Sequence, residues 1–342
     1  MDSKTRVMAA IRRRTTDRVP RGELGIEEGF IRNFLPPDEY EKLSPMARGL
    51  RVRELLHMDL VNIHEFPKTF LRYDADGFPV FRSGFGDIYK DMQHSFVNIE
   101  PAIHSMDEVF SYSPADISMC TTHELEYYRD YSDLFLMAQI DGPVGALGWA
   151  LGMENYMCLC MTDTAKIAAM AEKVMDFEIV RAIRFIEEGA HAIMMADDIA
   201  FNTGLLVSPK LLEVVAYPYY KKSIEQIKHF KDVPVFMHSD GDMRSVIPQI
   251  IECGFDGLQS IQPSAGMDIA GIKREFGKDL CLMGNVDLNQ LLPFGTPEEV
   301  EREVTELIEV AGEGGGFILS TCNILTDSVK PENAVAMYGV GL

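Results

Sequence analysis

From residue 134 onward, short apolar runs alternate with longer stretches in which apolar residues recur every three or four positions. The short runs predict strands buried on both faces, as in a parallel sheet, and the longer stretches predict amphipathic helices. The predicted strands are 134–140, 192–196, 233–238, 257–262, 280–285 and 317–322. The predicted helices between them are 162–189, 208–230, 245–254, 269–277 and 296–314, with Thr162, Ser208 and Thr296 as N-caps. Repeated strand–helix units leave two architectures, a closed barrel and a doubly wound open sheet.

A polar or ionisable residue stands where each of these apolar runs ends. These residues are Asp141, Asp197, Asp198, His238, Asp240, Gln259, Gln262, Asn285, Asp287, Cys322 and Asn323. In a barrel all such strand ends converge on the C-terminal mouth, whereas in an open sheet they spread along one edge. The pattern therefore favours an α/β fold of the (β/α)8 TIM-barrel type, with its active site at the mouth.

The first 130 residues have a weaker pattern. Residues 3–14 predict a short amphipathic helix that ends before Pro20. Residues 30–130 contain turn signals such as Asp76-Gly77, and we interpret them as an irregular elaboration of the first βα section that covers the barrel mouth. We expect substrate contacts in this region. The whole chain, residues 1–342, is predicted to be a single catalytic domain.

Charge and composition exclude several classes of partner. The net charge of -21 repels phosphate backbones and anionic lipid, so we expect neither nucleic acid nor a membrane as a partner. The N-terminal residues lack the apolar core of a signal peptide, and no apolar run approaches the roughly 20 residues that a membrane span needs. Six cysteines without framework spacing favour reduced thiols in a cytoplasmic protein.

His238 and Cys322 are the sharpest candidates for chemistry. A histidine at the end of a buried strand can bind a metal or transfer a proton. A cysteine at such a position can supply a thiolate to zinc. Each residue alone is as readily a hydrogen-bonded core histidine or a small buried cysteine. Their joint position at strand ends around one mouth favours a metal site.

Adjacent carboxylates at Asp197 and Asp198 point to opposite faces of a strand, so only one can face the mouth. That one could be a third metal ligand, a partner of His238, a substrate contact or a helix cap. Glu23 and Glu27, near the end of the proposed first strand, could join the same mouth.

Two further residues lie in tight turns that leave space for a ligand. Asp141 precedes Gly142-Pro143, and Asn285 follows Gly284. With Glu23, Glu27 and Asp197, we expect them to contact the substrate.

Six short segments, in this order, resemble the uroporphyrinogen decarboxylase superfamily over essentially the whole chain. They are TTDRVPRGELG (15–25), IDGPVGALGWALG (140–152), ADDIAFNTG (196–204), FMHSDGDM (236–243), LMGNVD (282–287) and GGFILSTCN (315–323). The chain is similar in particular to the corrinoid-dependent methyltransferase branch. The resemblance implies the TIM-barrel fold that the strand pattern also predicts.

The same resemblance implies what the site holds. The decarboxylases carry an arginine-rich segment after the first strand, where this chain has GELGIEEGF (22–30), so we do not expect it to bind a polycarboxylate. The thiol-activating methyltransferases hold zinc with His-x-Cys and a later Cys. Carried over to this chain, that set is His238, Asp240 and Cys322, with Asp240 in place of the middle Cys.

We therefore expect a zinc-dependent enzyme in which His238, Asp240 and Asp198 are catalytic. It would move a methyl group from a small donor to the Co(I) corrinoid of a separate partner protein. An aspartate ligand in place of a thiolate leaves the metal more electrophilic, which suits a methyl ether or an amine-derived donor. Of these we favour a methoxylated aromatic, with a methylamine-type donor as the other possibility. The alternatives are a metal-independent lyase with His238 and Asp198 as acid–base groups, transfer from a methylcorrinoid to an acceptor, and a non-catalytic scaffold subunit. A homodimer is left open.

Overall fold

The computed structural model describes residues 1–92 and 95–342. The N-terminal elements are α1 (Ser3–Ile11), α2 (Glu28–Phe34), α3 (Pro37–Tyr40), α4 (Pro45–Leu55), β1 (Leu60–Ile63), β2 (Lys68–Tyr73), β3 (Pro79–Ser83), β4 (Ile88–Asp91), β5 (Phe96–Glu100) and α5 (His123–Tyr131). The following elements are β6 (Phe135–Asp141), α6 (Pro143–Leu151), α7 (Met153–Thr162), α8 (Thr164–Glu187), β7 (Ala192–Ala196), β8 (Ala200–Phe201), β9 (Gly204–Leu205), α9 (Pro209–Val215), α10 (Tyr217–Phe230), β10 (Val235–Ser239), α11 (Ile247–Cys253), β11 (Gly257–Ser260), α12 (Ile269–Phe276), β12 (Cys281–Val286), α13 (Leu291–Phe294), α14 (Pro297–Gly312), β13 (Phe317–Thr321) and α15 (Pro331–Gly339).

Seven parallel strands form the central sheet in the order β1-β6-β7-β10-β11-β12-β13. The last six are the strands that the apolar runs predict, and they follow one another in the sheet as they do in the chain. Helices connect them on the outside. The α/β class and the TIM-barrel architecture are confirmed.

The barrel is closed by residues 20–24, an extended segment that occupies the eighth strand position between β13 and β1 and is called here the closing segment. On one side Gly22 N donates to Leu319 O at 3.0 Å and Leu319 N to Pro20 O at 2.8 Å. On the other side Asp59 N donates to Arg21 O at 2.7 Å. Pro20 and Gly22 interrupt this segment, and Gly25 follows it, so no apolar run marks it as a strand.

Apolar side chains of different sizes, from alanine to phenylalanine, fill the barrel interior. They alternate along the strands and comprise Leu60, Phe135, Met137, Ala192, Met194, Phe236, Cys281, Met283 and Ile318. Helix α1 closes the N-terminal end with Val7, Ala10 and Ile11. Packing is tight at Gly257, where a Cβ would lie 2.2 Å from Phe236 Cε1. The interior is therefore a packed core, and the open end is the C-terminal mouth.

Residues 30–130 are more regular than the sequence suggests. Strand β1 within this region is a barrel strand. Its four residues, Leu60–Ile63, include the polar Asn62 and form too short an apolar run to be recognised as a strand in the sequence. Strands β2, β3, β4 and β5 form a separate antiparallel sheet. Asn98 Nδ2 donates to Trp149 O at 2.7 Å, and Ala102 N donates to Ala150 O at 2.7 Å, which fix the sheet against α6.

The helices begin where the predicted N-cap residues place them, with two differences from the sequence prediction. Ser208 caps α9, and Thr296 forms a capping box with Glu299 at the start of α14. The N-cap of α8 is Asp163 instead of the predicted Thr162. The predicted helix 208–230 is two helices, because Pro218 cannot donate a backbone hydrogen bond and so starts a new helix. None of the described helices has both the length and the apolar character needed to cross a membrane.

Candidate active site at the barrel mouth

Strand register brings the polar strand ends to one level of the barrel. Asp141 is paired with Ala196, Ala196 with His238, and His238 with Gln259. Phe236 points into the interior, and side chains alternate along a strand, so His238 points inward as well, one layer nearer the mouth. His238 thus lies at the boundary between the packed core and the open mouth.

Gln259 fixes the orientation of the His238 ring and the tautomer in which Nδ1 carries the hydrogen. The His238 side chain is 8% exposed, and its Nδ1 donates to Gln259 Oε1. Gln259 Nε2 lies 3.5 Å from Thr321 O, which orients the amide so that its oxygen faces the imidazole. With Nδ1 as the donor, Nε2 keeps a free lone pair. A histidine held in this way is typical of a metal ligand.

Two carboxylates face this lone pair. Ligand atoms of Asp198, His238 and Asp240 all lie within 4.8 Å of one another. The Asp198 side chain is 63% exposed, and its Oδ1 is 3.9 Å from His238 Nε2 and accepts from Asp240 N at 2.9 Å. Asp240 accepts from Ser260 Oγ at 2.9 Å and from Asn323 Nδ2 at 2.6 Å. The carboxylates are therefore held in place without an ion.

The backbone after β10 turns sharply to present Asp240. Gly241 has a φ of 86°, a left-handed conformation that side-chain-bearing residues rarely adopt. A Cβ at this position would lie 2.6 Å from the backbone carbon of Ala200. Gly241 N donates to Gln262 Oε1 at 2.9 Å, which ties the turn to the next strand end.

Cys322 does not belong to this group within the described part of the chain. It is 4% exposed, and burial raises the pKa of its thiol to about 12. Its chain neighbour Asn323 contacts Asp240. The structure therefore groups His238 and Asp240 with Asp198, which the sequence assigns to catalysis, and places Cys322 beside the group.

Asp197 lies on the opposite face of the strand from Asp198. It is 1% exposed and accepts from Tyr220 Oη at 2.6 Å, from Gly145 N at 2.6 Å and from Val144 N at 3.2 Å. Burial raises the pKa of Asp197 to about 7. Its carboxylate caps the N-terminus of α6. Helix α6 and Tyr220 cover this carboxylate, and the substrate contact expected for Asp197 stays a prediction that its burial does not favour.

Glu23 is also directed away from the mouth. It is fully buried and accepts from Thr321 N at 2.9 Å, from Thr321 Oγ1 at 2.7 Å and from the Tyr338 hydroxyl of α15. Burial raises the pKa of Glu23 to about 7. The carboxylate is enclosed between the closing segment and α15, and the substrate role expected for Glu23 stays a prediction that its burial does not favour.

Neutralising this carboxylate by Glu23→Gln should change how stability depends on pH. The folded pKa, about 7, lies above the ordinary value of 4.5, so the folded chain retains a proton that the unfolded chain loses. As pH rises from 4.5 through 7, Glu23 therefore costs the native protein on the order of 3 kcal/mol of unfolding free energy. Denaturant unfolding across this pH range should show wild type losing stability relative to Glu23→Gln.

The control for this comparison is Glu306→Gln, a change at an exposed position of α14. Its unfolding free energy should run parallel to that of wild type at every pH. Parallel profiles for wild type and Glu23→Gln would show that Glu23 is ionised in the native protein, contrary to the prediction.

Three other predicted contacts lie nearer the mouth. Glu27 is partly buried at the start of α2, and its Oε2 accepts from Asp327 N at 3.1 Å. Asn285 is 8% exposed and donates from Nδ2 to Ile261 O at 3.1 Å. Asp141 lines a cavity. Substrate contact by these residues stays a prediction.

The cavity, of about 530 Å³, lies between the antiparallel sheet and the mouth ends of β1 and β6. His64 and Asp141 border it from the barrel, Asp87 and Tyr89 from the sheet, and Trp149 from α6. The sequence places substrate contacts somewhere in 30–130 but cannot name these residues, because they come from separate segments. The richness of aromatic residues between 66 and 96 is the only sequence signal for them.

The cavity and the Asp198–His238–Asp240 group are neighbours on one mouth. Asp141 on β6 and His238 on β10 stand at the same level, with β7 between them. Because neighbouring strands are about 4.8 Å apart, two strand spacings separate these backbones by about 10 Å. A small aromatic molecule in the cavity can therefore extend one end toward His238.

Comparison with known families gives one match over most of the chain. A family model described as uroporphyrinogen decarboxylase (URO-D) matches residues 103–340. A methylated-thiol–coenzyme M methyltransferase of Methanosarcina mazei is 25% identical over 185 residues, 54% of this chain and 47% of the relative. A uroporphyrinogen decarboxylase of Chlorobaculum tepidum is 26% identical over 189 residues, 53% of this chain and 51% of the relative. The chain spans about half the length of these curated relatives.

Solved structures share the fold over nearly the full length. A methyltransferase from Methanosarcina mazei has a TM-score of 0.76 at 20% identity, covering 99% of this chain and 98% of that chain. A B12-independent methionine synthase from a Shewanella species has a TM-score of 0.56 at 12% identity, covering 95% of this chain and 96% of that chain. At such identities the likeness establishes the fold.

Proposed function

The chain belongs to the uroporphyrinogen decarboxylase (URO-D) family, and on this premise we propose that it is a methyltransferase and not a decarboxylase. The proposed reaction moves a methyl group from a small donor in the cavity to the Co(I) corrinoid of a partner protein. The observation that carries the proposal is the Asp198–His238–Asp240 group beside a cavity at the mouth. The M. mazei relative named a methyltransferase supports the same class.

The charges at the mouth argue against a polycarboxylate substrate. Arg21 is 1% exposed and donates to Val340 O, and Arg18 pairs with the buried Asp59 at 2.6 Å. Both arginines of the segment TTDRVPRGELG (15–25) are therefore directed into the fold, Arg21 by burial and Arg18 by its ion pair. Among the described residues that line the cavity, Lys68 is the one cation with a permanent charge, against the carboxylates of Glu65, Asp87 and Asp141.

The donor set fits a divalent metal ion. One imidazole nitrogen and two carboxylate oxygens are ligands that zinc accepts, and three protein ligands leave room for a further one. We propose that Asp198, His238 and Asp240 hold this ion. When bound, it would act as a Lewis acid on the heteroatom from which the methyl group departs.

The chain's own residues supply the rest of the chemistry. Gln259 keeps the His238 lone pair directed at the mouth, and Ser260 and Asn323 hold the Asp240 carboxylate. The aromatic walls of the cavity orient the donor and exclude water from it. For an aryl methyl ether, the methyl–oxygen bond breaks with its electron pair going to oxygen, and the oxygen then takes a proton from solvent. The new bond to carbon uses the electron pair of Co(I), which becomes Co(III).

An anaerobic assay with a reduced corrinoid and a panel of methoxylated aromatics and methylamines tests the proposal. We expect the Co(I) absorption to be replaced by that of methyl-Co(III), and a strong chelator to stop the change. Methyl transfer that survives complete removal of metal would show that the reaction does not need the ion, and no methyl transfer from any donor of the panel would favour the metal-independent lyase. Methyl transfer only from methylcorrinoid to an acceptor would reverse the proposed direction.

A further inference from the structure

The walls of the cavity are formed largely by aromatic rings. Phe66 and Phe85 pack with their ring centroids 4.7 Å apart on one side. Tyr89, Phe96 and Trp149 pack on one another with centroid distances of 5.7 and 6.3 Å. Aromatic faces carry negative potential, so such walls attract an aromatic ring or a cation and give no support to an anion.

Two carboxylates border the same space, that of the buried Asp87 and that of the partly buried Asp141. Asp87 is fully buried, accepts from the Ser83 hydroxyl, and lies 3.3 Å from Asn98 Nδ2. Burial, and to a smaller extent the charge of Asp141, raises the pKa of Asp87 to about 6. Burial also raises the pKa of Asp141. A positive charge between the two carboxylates would therefore stabilise both in their ionised forms.

The protein's own positive groups do not balance these charges. Arg181 pairs with Glu178 at 2.6 Å and lies 3.6 Å from Asp141, so one guanidinium serves two carboxylates. The Lys68 ammonium lies over the Phe81 ring, 4.6 Å from its centroid. Burial lowers the pKa of His64 to about 4, so its imidazole is neutral at pH 7. The region around the cavity therefore retains net negative charge.

We propose that the cavity binds its ligand through a cationic ammonium group between Asp87 and Asp141, and so takes a methoxylated aromatic amine in preference to a methoxylated aromatic acid. The ring packs against the aromatic walls, and the methoxy group extends toward His238. The identification of this ligand as the methyl donor rests on the proposed function. The binding preference itself rests on the cavity alone.

Trp149 provides a direct readout, since it is the only tryptophan of the chain and lines the cavity. The full chain is titrated at neutral pH with three ligands on one scaffold, namely 4-methoxybenzylamine, 4-methoxybenzyl alcohol and 4-methoxybenzoate. Calorimetry on the same samples measures binding independently of fluorescence. We expect the amine to bind at least about a hundredfold more tightly than the carboxylate, with the alcohol between them.

The isosteric variants Asp87→Asn and Asp141→Asn identify the source of the preference. Each should weaken binding of the amine about tenfold and change that of the alcohol less than about twofold. The alcohol thus controls for damage to the fold of either variant. Equal affinities for amine and carboxylate, equal losses for amine and alcohol, or no binding of any ligand would overturn the inference.

The proposed function fails separately from this inference. A chain that binds the amine selectively but transfers no methyl group to Co(I) would refute the methyltransferase proposal and retain the cationic cavity. Methyl transfer from 4-methoxybenzoate as fast as from the amine would refute the cationic cavity and retain the methyltransferase proposal.

Discussion

Replacing His238 by alanine should lower the rate of methyl transfer to Co(I) at least about a thousandfold. The change removes the one imidazole nitrogen of the Asp198–His238–Asp240 group and leaves two carboxylates as the remaining ligands for an ion. His238 lies above the packed barrel interior, so the fold should persist. The anaerobic corrinoid assay measures the rate, and thermal unfolding measures the integrity of the variant.

Two matched variants separate the role of this histidine from general damage. His229→Ala removes an exposed histidine of α10 and should leave the rate unchanged. Gln259→Ala leaves His238 in place but removes the acceptor of its Nδ1 proton, and should cost about 10- to 100-fold. A His238→Ala variant that keeps more than a tenth of the activity would show that the chemistry takes place elsewhere.

Arg181→Met should lower the free energy of unfolding by about 3–5 kcal/mol. The Arg181 side chain is fully buried, pairs with Glu178 at 2.6 Å and lies 3.6 Å from Asp141. It also donates to Glu65 O at 3.0 Å. Methionine fills much of the volume but leaves the buried Glu178 and the partly buried Asp141 without a counter-charge. Denaturant unfolding at neutral pH measures the loss.

The double variant Arg181→Met/Glu178→Gln should recover part of this stability, because it removes one of the unpaired charges. Arg302→Met is the surface control, since Arg302 is 61% exposed and its guanidinium lies as far as 3.9 Å from the Glu303 carboxylate. This variant should change the free energy of unfolding by less than about 1 kcal/mol. If Arg181→Met cost no more than Arg302→Met, the buried cluster would not need its guanidinium. The assignment of net negative charge to the cavity would then also be in question.

The barrel is predictable because strands buried on both faces are continuous apolar runs. The six runs from residue 134 onward are all found, in sequence order, in the sheet. The closing segment 20–24 carries no apolar run, because Pro20 and Gly22 interrupt it, so its bounds and its place in the barrel follow only from hydrogen bonds to its two neighbours. The sequence does not predict the antiparallel sheet, because β2 is exposed along its whole length and has no buried apolar face.

The candidate site is predictable only where position along a strand determines direction. His238 and Asp240 lie two residues apart on one inward face, so their proximity follows from alternation. The side chains of Asp197 and Glu23 point away from the mouth. Their direction depends on strand register and on how the barrel closes, neither of which can be read from the sequence. The approach of Asp198 to His238, and the distance of Cys322 from this group, depend on loop paths beyond the strand ends.

The proposed metal site of Asp198, His238 and Asp240 is tested most directly by zinc content after loading and dialysis. The proteins compared are wild type, Asp198→Ala, His238→Ala, Asp240→Ala and Cys322→Ser. We expect about one tightly held zinc per chain in wild type and Cys322→Ser, and its loss in the other three. Equal zinc in wild type and His238→Ala, or its loss from Cys322→Ser with retention in Asp198→Ala, would show that these three residues do not hold the ion.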